Sequence, residues 1–323
     1  MEITDSKSYK IQLLRGAAII AVVAIHNSPA GMEQIFIRPF FNFAVGMFLF
    51  LSGLLSSAER WKPWKRIRKV LIPYLIWTMI YVILKNLYTP VRIPLSYVKM
   101  VIAGNAAPVM YYVFVYCELT LLIPLIDKLA RSRFKYLGFL ITPLEIVIMY
   151  LIPLIAGIQL NEYVLMIREI SCLGWFTYFY LGYLIGNDLI LVKLTNLKLA
   201  FLWCVGIVLQ VVESIWLYLM GDVNPCTQLK LSAVFTGVFF VLLAYRFINS
   251  EKDFKLKWLH LLGDHSFGIF FAHVAVQMLI LSIPFYREFV IFPFNAIVVI
   301  VITLGLAAAG KKLLGRFAEY IAF

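Results

Sequence analysis

Residues 13–29, LLRGAAIIAVVAIHNSP, place Arg15 and His26 eleven positions apart in an otherwise apolar run. On a helix that offset is about 1100°, three turns plus roughly 20°, so both side chains project from one face, about 16 Å apart along the axis. An arginine makes bidentate, charge-assisted bonds to phosphate, and a neutral imidazole can take a proton from a hydroxyl. A phosphate anchor and a base at that distance suit a long acyl carrier whose phosphates stay at the membrane surface while its thioester reaches inward. Acyl-coenzyme A has that shape. Gly16, Ala17, Ala18 and Ala21 lie between the two groups and are small enough to admit a close neighbour. The same residues also fit a purely structural reading, with Arg15 and His26 paired to Glu118, Glu145 or Glu213, and spacing alone leaves both open.

The elements that position these groups are membrane spans. The 323 residues are 63% hydrophobic and only 14% charged, with mean hydropathy +0.89, far from the balance of a soluble domain. The composition predicts an all-α, polytopic bundle forming a single domain over residues 1–323. Apolar runs mark about ten spans, near 10–29, 36–57, 70–88, 109–129, 137–157, 169–187, 198–219, 228–247, 265–284 and 292–313. With both termini cytoplasmic, 21 of the lysines and arginines fall inside and 7 outside, leaving Arg15 in the first span. The positive-inside rule therefore accounts for the net charge of +12, and nucleic acid is excluded as a partner. Lys7, Lys10 and the SPA tripeptide mimic a signal peptide, but Arg15 abuts the apolar core and no soluble domain follows. The four cysteines form no CxxC pair and read as packing residues, with no metal site.

Ionisable residues inside spans usually face the bundle interior or a wet cavity. Besides Arg15 and His26 these are Glu118, Glu145, Glu213 and His273, whereas Arg168 and Glu169 sit near span ends, where snorkelling suffices. Glu118 is the favoured carboxylate to orient His26, by fixing its tautomer. The stretch WKPWKRIRKVLIPYLIW, residues 61–77, reads either as an ordinary cytoplasmic loop or as a polyphosphate site, with Arg66 and Lys69 three apart at a helix start.

Several segments together carry a resemblance. They are the Arg-x10-His pair and FLFLSGLL (48–55), KRIRKVLIPYLIW (65–77), and YYVFVYCELTLLIPLIDKL (111–129). WFTYFYLGYLIG (175–186) and LGDHSFGIFFAHVAV (262–276) follow in the same order. In these the chain resembles the acyltransferase-3 family of integral membrane acyltransferases, of the type that O-acylates polysaccharides and surface glycans, over nearly its whole length. The resemblance implies transfer of an acyl group, most often acetyl, from cytoplasmic acyl-coenzyme A to a hydroxyl of a glycan or lipid-linked sugar. It makes His26 the catalytic histidine and Arg15 its partner. It assigns Arg66 and Lys69 to the acyl donor's phosphates, with lysine a departure from the family's paired arginines. Arg68 is the substitute, though it points about 100° from Lys69. Tyr112 and His273 are candidates for the acceptor cavity, and the tyrosines of the 88–97 loop and Tyr111–Tyr112 for stacking on sugars, although tyrosine also belongs at the membrane interface. A cell-membrane location, bacterial and inner, and polysaccharide-synthesis partners follow from the same resemblance. No appended soluble domain is expected. A membrane transporter or flippase for a glycan or small polar solute is the alternative, but the paired Gly/Pro interruptions common in transporters are missing. A ligand sensor is a weaker one, since no output domain is seen.

Overall fold

A computed structural model describes residues 4–87, 89–158, 162–252, 254–287 and 290–323, and every regular element among them is helical. Helix α1 covers Asp5–Asn27, followed by α2 (Glu33–Ile37), a 3₁₀ turn at Arg38–Phe40, and α3 (Ala44–Leu54). Then come α4 (Pro63–Lys85), α5 (Ile93–Ala103), α6 (Tyr111–Leu121) and α7 (Ile123–Ala130). Helices α8 (Ile141–Ile146) and α9 (Ile152–Ile155) are joined by a π turn. Next are α10 (Glu162–Ile170), a 3₁₀ turn at Cys172–Trp175, and α11 (Phe176–Gly186). The chain closes with α12 (Asn196–Leu219), α13 (Leu231–Ile248), α14 (Lys257–Asp264), α15 (Ser266–Leu281), α16 (Pro284–Arg287) and α17 (Phe294–Leu314). Tyr88 lies outside the described residues.

The start and stop of α1 are written locally. Thr4 is extended, and its hydroxyl accepts from the Lys7 amide at 3.4 Å, capping the first turn. Ser28 leaves the helix in an extended conformation because Pro29 follows it. The last turn is then fastened to other helices. Gln277 donates to the His26 carbonyl at 2.9 Å and Asn295 to the Asn27 carbonyl at 3.0 Å, so α15 and α17 fix where α1 ends.

Among the described residues seven helical stretches are long and apolar enough to cross a membrane, and an eighth forms if α14 and α15, bent by 79° at His265, count as one. The expected spans near 109–129 and 169–187 do not form single long helices. Leu122 breaks the first just before Pro124, and the second is a short turn followed by the eleven residues of α11. Eleven residues reach only about 16 Å, half the hydrocarbon core. All of α11 from Phe176 to Ile185 is buried, on every face. Its apolarity therefore reports packing inside protein rather than exposure to lipid.

Helix α11 is held against α3 by backbone contact. A Cβ at Gly182 would sit 2.1 Å from the Phe50 carbonyl oxygen, one at Gly186 2.1 Å from that of Leu54, and one at Gly53 2.1 Å from that of Phe179. Small residues on both partners are what allow membrane helices to approach this closely. Helix α14 lies along the first half of α1 in the same manner, with Gly16 against the Leu259 carbonyl and Gly263 against the Gln12 carbonyl. The glycine and alanines expected to admit a neighbour next to Arg15 admit α14 at Gly16. All four cysteines are free.

Candidate active site

Two groups of polar side chains gather at opposite ends of α1. At the Arg15 end, Arg66 of α4 is turned inward and held in three directions. Its Nη1 donates to Ser56 Oγ at 2.7 Å, its Nη2 to Ser52 Oγ at 3.1 Å, and its Nε to the Tyr116 hydroxyl at 3.3 Å. The guanidinium carbon also lies 5.7 Å from the centre of the Tyr116 ring. The serines come from the SGLLSS segment that ends α3, whose position is fixed by the glycine contact with α11. Arg15 is far less engaged, its Nη1 touching only Gln12 Oε1 at 3.5 Å. Tyr112 and Tyr116, whose rings are 6.2 Å apart, lie within electrostatic reach of Arg15, and Arg66 is within reach of Tyr112. Two cations thus converge on one tyrosine pair.

Arg68 and Lys69 do not join them. Both are exposed on the outer side of α4, and Lys69 does not share an inward anion site with Arg66. The serines select Arg66, and a three-residue offset leaves Lys69 about 60° away around the helix.

At the other end His26 borders a cavity of about 330 Å³. Its wall includes Tyr111 and Trp175, stacked with ring centres 5.9 Å apart and planes at 18°. Arg38, Arg168 and Glu169 add charge, and Asn224, Thr227 and Gln228 add hydrogen-bonding groups from the loop before α13. A flat aromatic pair beside amides, a hydroxyl and guanidinium groups is chemistry suited to a sugar, with His26 opening onto it.

His273 of α15 lies behind His26, fully buried, with the two ring centres 5.4 Å apart. Its Nδ1 is 2.9 Å from the carbonyls of both Ile269 and Phe270. Carbonyls only accept, so Nδ1 carries the hydrogen and Nε2 keeps its lone pair. That Nε2 is buried with no hydrogen-bond partner among the described residues.

The candidate residues are thus distributed as follows. Arg15 and Arg66 come together, and His26 and His273 come together. Tyr112 sits beside Arg15 and Arg66 and packs on Phe270 at 5.3 Å; the tyrosine that lines the cavity is its neighbour Tyr111. Glu118 does not reach His26. Its Oε2 accepts from the Cys172 amide at 2.8 Å, at the start of the 3₁₀ turn before α11. Glu145 lies against Gly174 on that turn, with Oε1 unpartnered among the described residues. The cation whose charge reaches His26 is Arg38. Sequence reasoning passed over Arg38, Trp175 and Gln228 as site residues, read Arg168 as a snorkelling charge, and named Tyr111 only with Tyr112 as a ring that could stack on sugars. Arginine rather than lysine at Arg38 and Arg168 was a signal shared with Arg92 and Arg287, since arginine is the residue of planar, hydrogen-bonded recognition. Among the described residues no cluster of three or more His, Cys, Asp or Glu could hold a metal ion.

Comparison with known proteins adds one finding. The family model described as an acyltransferase domain, acyltransferase-3, matches residues 8–310. No curated protein and no solved structure matches the chain. A match over nearly the whole length, on an all-helical chain with at least seven helices able to cross a membrane, places this protein in the acyltransferase-3 family and makes it a multi-pass membrane acyltransferase.

Proposed function

We propose that the protein is an O-acyltransferase moving an acyl group, acetyl by the family's commonest use, from cytoplasmic acyl-coenzyme A to a hydroxyl of a surface glycan or lipid-linked sugar. The observation that carries this reading is the division of α1: paired cations at one end, and a histidine opening onto a polar, aromatic-walled cavity at the other. The Arg15 end faces the cytoplasm and the His26 end faces outward, across a bacterial inner membrane, in keeping with the lysine and arginine bias of the loops.

In this mechanism Arg15 and Arg66 hold the carrier's phosphates while its arm runs along α1 toward His26. The acceptor hydroxyl lies in the cavity against Tyr111 and Trp175. His26 takes the hydroxyl proton as the oxygen attacks the thioester carbonyl carbon. The C–O bond forms, the C–S bond breaks, and the proton passes from His26 to the departing thiolate. His273 is a positioning residue. Its unpartnered Nε2, on a ring centred 5.4 Å from that of His26, is the acceptor that a ring N–H of His26 would meet on closer approach, leaving the other nitrogen of His26 free as the base, the role expected of a carboxylate.

Steady-state transfer from labelled acetyl-coenzyme A in membranes tests the donor half. Arg15→Ala should raise the KM for the acyl donor about ten- to a hundredfold, the loss of one charge-assisted contact. Lys69→Ala should leave that KM within twofold or so, as expected of an exposed side chain. An unchanged KM in Arg15→Ala would remove Arg15 from the phosphate site. Incubation with the labelled carrier and no acceptor separates direct transfer, which leaves the protein unlabelled, from a route through an acyl-histidine.

A further inference from the structure

We infer that the acceptor carries an oxyanion, a carboxylate or a phosphate, held by Arg38 and Arg168 beside the hydroxyl that is acylated. This rests on the reading of the His26 cavity as the acceptor site and names the substrate class it takes.

The two arginines reach the cavity from separate elements, Arg38 from the 3₁₀ turn before α3 and Arg168 from α10. Among the described residues neither has a carboxylate within 4 Å. Arg38 makes one long contact, Nη1 to Asn224 Oδ1 at 3.5 Å, and Arg168 lies 5.2 Å over the Tyr150 ring. The Nε of each is buried and without a partner among the described residues. A guanidinium taken out of water is costly unless it is paired and hydrogen-bonded. A cation of the same region shows what satisfaction looks like here. Lys230 is fully buried, whereas Arg38 and Arg168 are half-buried, and it donates to the carbonyls of Gln210 and Pro225 and to the Ser214 hydroxyl. Arg38 and Arg168 have no such set, and both border the cavity.

The carboxylates nearby do not fill the need. Glu169 is exposed at the rim, and Glu145, though within electrostatic reach of Arg168, stands behind Gly174 rather than in the wall and makes no ion pair with it within 4 Å. Two other residues of the cavity wall each keep an unsatisfied buried atom among the described residues, the Trp175 Nε1 donor and the Gln228 Oε1 acceptor. These match hydroxyl groups of a sugar, as the guanidinium groups match its anion. Carboxylates and phosphates are the anions that an arginine fork meets in two parallel hydrogen bonds.

Arginine labelling of the purified full-length protein with phenylglyoxal, read peptide by peptide by mass spectrometry, tests this directly. The probes are methyl glucuronate, glycerol 3-phosphate and the neutral methyl glucoside. Either anionic probe should protect Arg38 and Arg168 with an affinity at least about tenfold above that of the glucoside. The better of the two identifies the anion as carboxylate or phosphate. Equal protection by the glucoside, or protection by none of the three, overturns the inference. Arg38→Gln should abolish the preference at Arg168, and the reverse variant should do the same at Arg38. Coenzyme A, run in parallel, should protect Arg15 and Arg66 instead. If that protection fails while the anionic probes still shield Arg38 and Arg168, the acyl-donor assignment falls and the acceptor class stands. If the anionic probes fail while coenzyme A protects and transfer proceeds, only the acceptor's charge is lost.

Discussion

His26→Ala should reduce acyl transfer by about a hundred- to ten-thousandfold, the range for removing a positioned general base, while the protein still inserts and folds. Insertion should survive because the tie that fixes this end of α1 runs through backbone. Gln277 binds the His26 carbonyl and Asn295 the Asn27 carbonyl, and alanine keeps both. Turnover of labelled acetyl-coenzyme A, paired with size-exclusion profile and melting temperature in detergent, checks the two halves of the statement. A variant that retains a substantial share of the rate would sink the assignment of His26 as base. His273→Ala should lower kcat by a smaller factor with little change in KM. Combined with His26→Ala it should cost almost nothing further, because a positioning group has no effect once the group it positions is gone. A purely structural His273 would instead lower the melting temperature and add its loss to that of His26.

Gly182→Val should have the largest effect on the fold. A Cβ there would fall 2.1 Å from the Phe50 carbonyl oxygen, and the obstacle is helix backbone, which cannot swing aside. The side chain must drive α3 and α11 apart at the centre of a buried contact that also includes Gly53 and Gly186. A loss of about 3 kcal/mol or more is expected, the upper range for overpacking. Its functional signature is specific. Helix α3 carries Ser52 and leads directly into Ser56, whose carbonyl accepts from the side-chain amide of Asn187, the residue that caps α11, at 3.0 Å. Displacing α3 therefore also releases Arg66, so surviving protein should show weaker binding of the acyl donor. Gly305→Ala is the matched control. No atom lies within 4 Å of a Cβ at that exposed position in α17, and replacing a helical glycine with alanine there should stabilise by roughly 0.5–1 kcal/mol. Melting temperatures that move alike in the two variants would contradict the crossing described for α3 and α11.

The helical membrane architecture and the pairing of Arg15 with His26 on one helix were readable from sequence, because a 3.6-residue period and long apolar runs are local properties. The span count was not. Hydropathy cannot separate a helix facing lipid from one such as α11 that is wrapped in protein, and both look equally apolar. The loop cations show the same limit. Arg66 and Lys69 are equivalent in sequence, and only the arrival of Ser52 and Ser56, at and just after the end of α3, turns one inward. Arg38 and Arg168 read as unremarkable outer charges because the cavity they border is assembled from α1, α6, α10 and the loop before α13, which are far apart in sequence. Glu118 is the converse case, a half-buried carboxylate within an apolar run that invites a role beside His26 and is spent on the backbone amide of Cys172.

The three hydrogen bonds on Arg66 have a consequence for how binding energy divides between the two cations. A free arginine side chain carries about 2 kcal/mol of rotamer entropy that is surrendered when it grips a ligand. Ser52, Ser56 and Tyr116 already hold Arg66 in one geometry, so its entropy loss was incurred when the chain folded. Arg15, touching only Gln12 at 3.5 Å, must become ordered as the ligand arrives. Calorimetry of coenzyme A binding should therefore show the two arginines contributing differently. Loss of Arg66 should appear chiefly as lost enthalpy, whereas loss of Arg15 should remove enthalpy and an entropic penalty together.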